Sequence, residues 1–208
     1  MKLINDICVF DFETSGLNPE TDRVIEMAAI RIRDGKVTSG FSTLVEQPLV
    51  LSPKITELTG ITTEEMLTGI QEKTAFQMLN RLMLGSTLVA HNAAFDLSFL
   101  HFSLQRLAGI TFKNPFIDTL TICRDRFTYP HKLTDMCGRM GIELTGAHRA
   151  MNDVYGCWEL LKALHEDQPV NEYWNVLGYL KKYGAPKWVP EYARVMGQDN
   201  QYEPRNAG

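Results

Sequence analysis

The chain opens on a short apolar run, Ile7-Cys8-Val9-Phe10, with polar residues on either side. A run of that length with no polar face predicts a buried β-strand, here reaching Phe12. Val24–Arg33 and Lys36–Val45 flank Asp34-Gly35. Asp-Gly supplies the positive φ angles of a tight two-residue turn, so the pair predicts a β-hairpin. Leu44 to Pro53 holds two prolines and reads as irregular. Thr62-Thr63-Glu64-Glu65 places acids just after a capping residue, which marks a helix start. A helix follows from about Thr74 to Leu84, stopped by Gly85. Ser86–Ala90 predicts a second buried strand. It leads into a helix from about Ala94 to Leu107, with Leu97, Leu100, Leu104 and Leu107 on one face. Pro115–Asp118 reads as a short last strand. Further helices fall within His131–Met140 and His148–His165, the second burying Ala150, Val154, Cys157, Leu161 and Leu164. Three strands first, then strands alternating with helices, predict an α/β domain around a mixed sheet that is antiparallel at its start.

The pattern changes after His165. Glu166-Asp167-Gln168-Pro169 marks a boundary between a body, residues 1–168, and an aromatic-rich extension, residues 169–208. Tyr173, Trp174, Tyr179, Tyr183, Trp188, Tyr192 and Tyr202 all fall in the extension. Tyr173, Trp174, Leu177 and Leu180 stand at helical spacing, which predicts an amphipathic helix docked on the body. The other reading is an arm that stacks on single strands or binds a partner, since aromatic faces stack on bases.

Charge and cysteine usage narrow the class. The formal net charge is −4. A protein that only grips nucleic acid is usually basic, whereas an enzyme whose carboxylates hold cations can be acidic and still bind a phosphate backbone. Cys8, Cys123, Cys137 and Cys157 stand far apart, with no Cys-x-x-Cys pair. That disfavours structural zinc and a disulfide framework and points to a reducing cytoplasm. Charge arrives too early at the N-terminus for a signal peptide, and no apolar run approaches the roughly 20 residues of a membrane helix.

Asp11 and Glu13 lie two apart at the end of the first strand, so both carboxylates point to one face. Side by side they repel unless a cation sits between them. Oxygen-only donors of this kind suit Mg²⁺ or Mn²⁺ rather than zinc. Taken alone, the pair would equally fit a solvated strand end. Asp96, in His91-Asn92-Ala93-Ala94-Phe95-Asp96, falls in the first turn of a helix that follows a buried strand. An acid there suits the helix dipole by itself. The carboxyl end of a strand is also where open α/β sheets place their ligands. His148 and Asp153 are five apart, about 140° on an ideal helix. His148 therefore falls in the loop or first turn after Gly146. Asp153 lies at the edge of an apolar face, where a carboxylate needs a partner. Four acids and a histidine at the ends of separate elements are the kit that two-metal phosphodiester hydrolysis requires, with the histidine as proton acceptor.

Three segments carry a family resemblance: Phe10-Asp11-Phe12-Glu13-Thr14-Ser15-Gly16-Leu17, His91 to Leu100, and His148-Arg149-Ala150-Met151-Asn152-Asp153. Leu58-Thr59-Gly60-Ile61-Thr62 and Ile117-Asp118-Thr119-Leu120 agree with them. In these the chain resembles the DEDDh 3′→5′ exonucleases, the superfamily of the proofreading (epsilon) subunit of bacterial DNA polymerase III, over roughly residues 5–165. The resemblance implies an RNase H-like fold with a five-stranded mixed sheet. It implies two divalent cations held by Asp11, Glu13, Asp96 and Asp153, and His148 as general base. Thr14, Leu17, Asn92 and Phe95 would touch the terminal nucleotides. The implied substrate is a single-stranded DNA 3′ end, in proofreading or repair, with a polymerase or other replication protein as partner and no membrane. An RNA-trimming exonuclease shares the same motifs, and a catalytically dead binding module shares the fold. Intact carboxylates speak against the last. Thr14 stands where oligoribonuclease-like members usually carry methionine, which leans toward DNA. Thr59 stands where many members carry a histidine that touches the terminal sugar.

Overall fold

The first strand, β1 (Asp6–Thr14), is apolar on both faces because it lies at the centre of the sheet. The computed structural model describes residues 5–144 and 149–199. Along β1, Cys8, Phe10 and Phe12 enter one core layer, and Ile7 and Val9 enter the other. β2 (Val24–Arg33) and β3 (Lys36–Glu46) form the expected hairpin, and Asp34 and Gly35 turn it with φ of 50° and 77°. A helix at α1 (Pro53–Thr59) starts on the Ser52 cap with proline in its first turn, a position that needs no N–H donor. The α2 turn (Thr63–Met66) is closed by a reciprocal capping box between Thr62 and Glu65.

Among the described residues the sheet has six strands rather than five. The addition is β4 (Ile70–Gln71), which pairs in parallel with Val45 and Glu46 at the end of β3. It exists because Gly69 brings the chain against β3: a Cβ there would stand 2.6 Å from the Leu44 carbonyl. The segment expected to be irregular from Leu44 is therefore strand as far as Glu46. Next come α3 (Glu72–Met83), β5 (Thr87–Ala90), α4 (Ala93–Ala108), β6 (Phe116–Asp118), α5 (Thr119–Arg126), α6 (Leu133–Arg139) and α7 (Ala150–Asp167). The order across the sheet is β4-β3-β2-β1-β5-β6. β1, β2 and β3 run antiparallel, while β5 and β6 run parallel to β1. α3 and α4 pack on the Phe10 face, and α7 and α6 pack on the Val9 face. No described helix is long and apolar enough to cross a membrane.

The extension departs from the helix its spacing predicts. Asn171–Tyr173 is a single 3₁₀ turn, and β7 (Val176–Leu180) is a strand paired in parallel with β8 (Arg194–Gln198). Asn175, with φ of 57°, stops any helix before it starts. Its amide donates to the Phe116 carbonyl, its side-chain oxygen accepts from the Phe116 amide, and its carbonyl accepts from Arg194. Leu177 enters the core layer of Phe10, and Trp188 stacks on His101 at 4.3 Å between ring centres. Tyr202 and the rest of the chain past residue 199 lie outside the described residues.

Asn175 thus stitches the extension to the sheet. Replacing it by alanine removes a half-buried acceptor and strains a left-handed backbone, a loss of about 1–3 kcal/mol. Glycine keeps the backbone freedom and loses only the acceptor. Thermal unfolding should place Asn175→Ala below Asn175→Gly, and both below the wild type. Equal melting temperatures for all three would show that the extension does not depend on this residue.

Candidate active site

β5 pairs with β1 only over Ile7, Cys8 and Val9, so β1 runs on past its neighbour. The carboxyl-terminal part of β1 has its β5-side edge open, and the site forms on this ledge. Asp11 and Glu13 share a face with Ile7 and Val9, the face covered by α7. Phe10 and Phe12 point the other way, into the layer beneath α4. The Phe12 amide, which no longer has a strand partner on that side, donates to Asp96 Oδ1 at 3.2 Å. Asp96 comes from the first turn of α4 and is almost fully buried.

α7 brings the third acid. Its first turn is pinned by Glu26, a buried residue of β2 that lies directly across from Glu13 in the strand register. Glu26 accepts from Arg149 Nη2 at 3.0 Å and Nε at 3.2 Å, and from the Ala150 amide at 3.3 Å. Asp153 then sits on the side of α7 that faces Asp11 and Glu13. One carboxylate oxygen from each of Asp11, Glu13 and Asp153 lies within 4.8 Å of the others. Asp96 is not in that trio; it stands behind it, bound to the Phe12 amide. His148 and Gly146 lie outside the described residues.

The turn that delivers Asp96 is held by Asp118. Asn92 adopts φ of 76°, and the amides of Asn92 and Ala93 both donate to Asp118 Oδ1, at 2.9 and 3.0 Å. His91 Nε2 donates to the His131 carbonyl at 2.9 Å, tying the same turn to the loop before α6. Of the residues implied to touch nucleotides, Asn92 is exposed and Phe95 is half-buried against Phe99. Leu17 is 83% exposed, an apolar side chain held out in water beside the ledge. Thr14 is buried, with its hydroxyl donating to the Gly16 carbonyl at 2.6 Å. Thr59 is spent on structure: its hydroxyl donates to Ile55 and accepts from the Ile61 amide.

Crowding sets the electrostatics. Burial, then Asp153 and Glu26, push the Asp11 carboxyl up to about 8. Burial, then Asp11, Asp153 and Glu26, push Glu13 up to about 9, against a smaller opposing pull from Arg149. Asp96 is raised well above the usual carboxylate range by burial first and by Asp11 second, with the Phe12 amide opposing. Such a cluster of hard oxygen donors short of positive charge fits a small divalent cation.

Two residues that shape the site went unassigned in the sequence. Glu26 had a signal, since it is a lone acid inside the apolar run Val24-Ile25-Glu26-Met27-Ala28 and a buried acid needs a partner. Asp118 was visible within a motif, but its role in capping the turn into α4 depends on β6 lying next to β5.

The cluster has a consequence for stability. A carboxyl whose folded-state pKa is raised stabilises the fold below its unfolded value, and that contribution is lost as pH rises through the folded one. For Asp11 and Glu13 the window runs from about 4 to about 9. In chelator, the melting temperature should fall as pH rises from 5 to 9. Asp11→Asn should flatten the slope and melt higher than the wild type at pH 8, and Mn²⁺ should raise the wild type more at pH 8 than at pH 5. Parallel pH profiles for the two proteins in chelator would show that these carboxylates do not repel.

Comparison with known proteins gives the family and the fold. The family model RNase_T, described as Exonuclease, matches residues 8–161. The chain is 38% identical over 165 residues to the PolC-type DNA polymerase III of Clostridium perfringens, and 39% identical over 164 residues to that of Bacillus cereus. Each match covers 76% of this chain and 11% of the relative, so the chain spans about a tenth of the length of these relatives. Among solved structures, a zinc-bound complex of E. coli exonuclease I with single-stranded DNA superposes with a TM-score of 0.72 at 23% identity, covering 81% of this chain and 42% of that one. E. coli exonuclease I in complex with a dA16 oligonucleotide gives 0.71 at 22% identity, covering 79% and 42%. Identities this low speak to the fold, which is RNase H-like.

Proposed function

The chain belongs to the RNase_T exonuclease family, and from that premise we propose that it is a metal-dependent 3′→5′ exonuclease that releases nucleoside monophosphates from DNA 3′ ends. The observation that carries this reading is the trio Asp11, Glu13 and Asp153, with oxygens within 4.8 Å of one another at the open end of β1. Three acids confined in this way, with two carboxyls driven far above their usual range, suit a small divalent cation. The polymerase relatives and the structural neighbours that hold DNA oligonucleotides support DNA as substrate.

In this reading Asp11, Glu13 and Asp153 hold Mg²⁺ or Mn²⁺, and Asp96 serves a second cation. Two such ions supply a more acidic water and neutralise charge on the leaving oxygen. The protein does the rest. The His148 imidazole takes a proton from the attacking water. The water oxygen bonds to phosphorus as the bond from phosphorus to the 3′-oxygen of the penultimate nucleotide breaks, freeing a 5′-monophosphate. Leu17 and Phe95 offer apolar surface to the terminal base and sugar, and Asn92 offers an amide at the rim. Asp118 positions Asp96, and Glu26 positions α7 and therefore Asp153. Residues 1–168 form the catalytic body, and the described part of the extension, residues 169–199, docks on it. The context is proofreading or repair alongside a polymerase.

A strand labelled at its 5′ end should shorten stepwise with Mg²⁺ and not in chelator, and a 3′ label should leave as a mononucleotide at once. A matched RNA strand should be cut more slowly. Asp11→Ala should lose nearly all turnover while remaining folded, since it removes repulsion along with a ligand. His148→Ala should lower turnover by about 10²–10⁴ and remove the acid limb of the pH profile. An Asp11→Ala enzyme with wild-type turnover in Mg²⁺ would refute the assignment.

A further inference from the structure

A recess of about 550 Å³ opens beside the carboxylates, a volume suited to one nucleotide. Its lining carries both signs of charge: Asp11 and Asp153 on the one hand, Arg124 and Lys132 on the other. Leu120 and Leu180 give it apolar walls, and Leu180 comes from β7 of the extension.

Arg124 is the informative residue. It is half-buried at the end of α5. Its one hydrogen bond within the described residues is long, 3.4 Å from Nη1 to the Gly178 carbonyl, and it forms no ion pair among them. Burial pulls its guanidinium below the usual range. Asp118 attracts it, yet the Asp118 oxygens are already taken by the amides of Asn92, Ala93 and Leu120 and by the Thr121 hydroxyl. A guanidinium held in a wall without an anion, in a cavity that also touches the hydrolytic carboxylates, matches a phosphate that arrives with substrate.

Resting on the exonuclease reading, we propose that this recess holds the penultimate nucleotide, and that Arg124 binds the phosphodiester one linkage upstream of the scissile one. The scissile phosphate lies at the Asp11 end, where cations offset the acids. The next phosphate lies at the Arg124 end, and the sugar and base between them rest on Leu120 and Leu180. The extension is then part of the substrate site, because β7 supplies a wall.

Single-stranded DNA with one neutral methylphosphonate tests this without any variant. Placed at the second linkage from the 3′ end, it should lower kcat/KM for release of the first nucleotide by about tenfold, as loss of a charge-assisted contact does. Placed far upstream it should have little effect. Arg124→Gln should lower kcat/KM on the all-phosphate strand by a similar factor through KM, and should be indifferent to the methylphosphonate. Its dependence of log KM on log salt should be shallower by about 0.7, one phosphate contact on a single strand. Leu180→Glu, on a half-exposed wall residue, should also raise KM. Wild-type enzyme that ignores the methylphosphonate while degrading the all-phosphate strand would overturn the subsite and leave the exonuclease reading intact. Wild-type enzyme that degrades no strand with Mg²⁺ or Mn²⁺ would overturn the reading itself, and the subsite with it.

Discussion

Three carboxylates within 4.8 Å of one another cannot all ionise without a counter-charge, and the rest of this structure is organised around keeping them there. Arg149 is the cation that bears on Glu13, and it is committed to Glu26. The protein thus accepts repulsion at the end of β1 and resists it by anchoring. Asp11 and Glu13 are fixed by β1, an interior strand paired on both sides. Asp153 is fixed by the Glu26 clamp on the first turn of α7. Asp96 is fixed from the opposite layer, through the Phe12 amide and the Asp118 cap. Each acid therefore depends on a different element, and the repulsion cannot be relaxed by moving one of them alone.

The anchoring extends to the C-terminal extension. Asp118 binds the turn before α4 on one side and the Thr121 hydroxyl on the other. Thr121 in turn accepts from the Gly178 amide of β7, and its carbonyl accepts from Gln198 of β8. A continuous run of hydrogen bonds thus joins the two-stranded ribbon to the turn that carries Asp96. Deforming the ribbon loads the same residues that place the site.

The strands of the body were legible because their patterns are short-range. The hairpin follows from Asp34-Gly35, and the buried strands follow from unbroken apolar runs. Asp11 and Glu13 on one face follow from period two alone. What was not legible depends on residues far apart in sequence. β4 is two residues long and exists because Gly69 can touch Leu44. α5 starts on the Asp118 cap, immediately after a strand, with no loop to announce it. In the extension, the helical spacing of Tyr173, Trp174, Leu177 and Leu180 misled because Tyr173 and Leu177 are buried by a turn and a strand respectively, against different layers. Glu26 is the intermediate case. Its oddness in an apolar run was visible, while its partner Arg149 is 123 residues away.

The net charge of −4 is an unusual setting for the polyanionic substrate proposed, and the placement of charge bears on it. With no overall positive field, long-range attraction is weak, and binding must come from a few cations placed at definite points. In the proposed reading the carboxylate cluster would supply one such point by holding metal. Arg124 would supply a second through a side chain that burial has already partly stripped of water, so part of the desolvation a phosphate contact requires is complete before substrate arrives. In the proposed reading these two points would engage adjacent phosphates of one strand, so that local contacts replace the long-range field that the net charge denies.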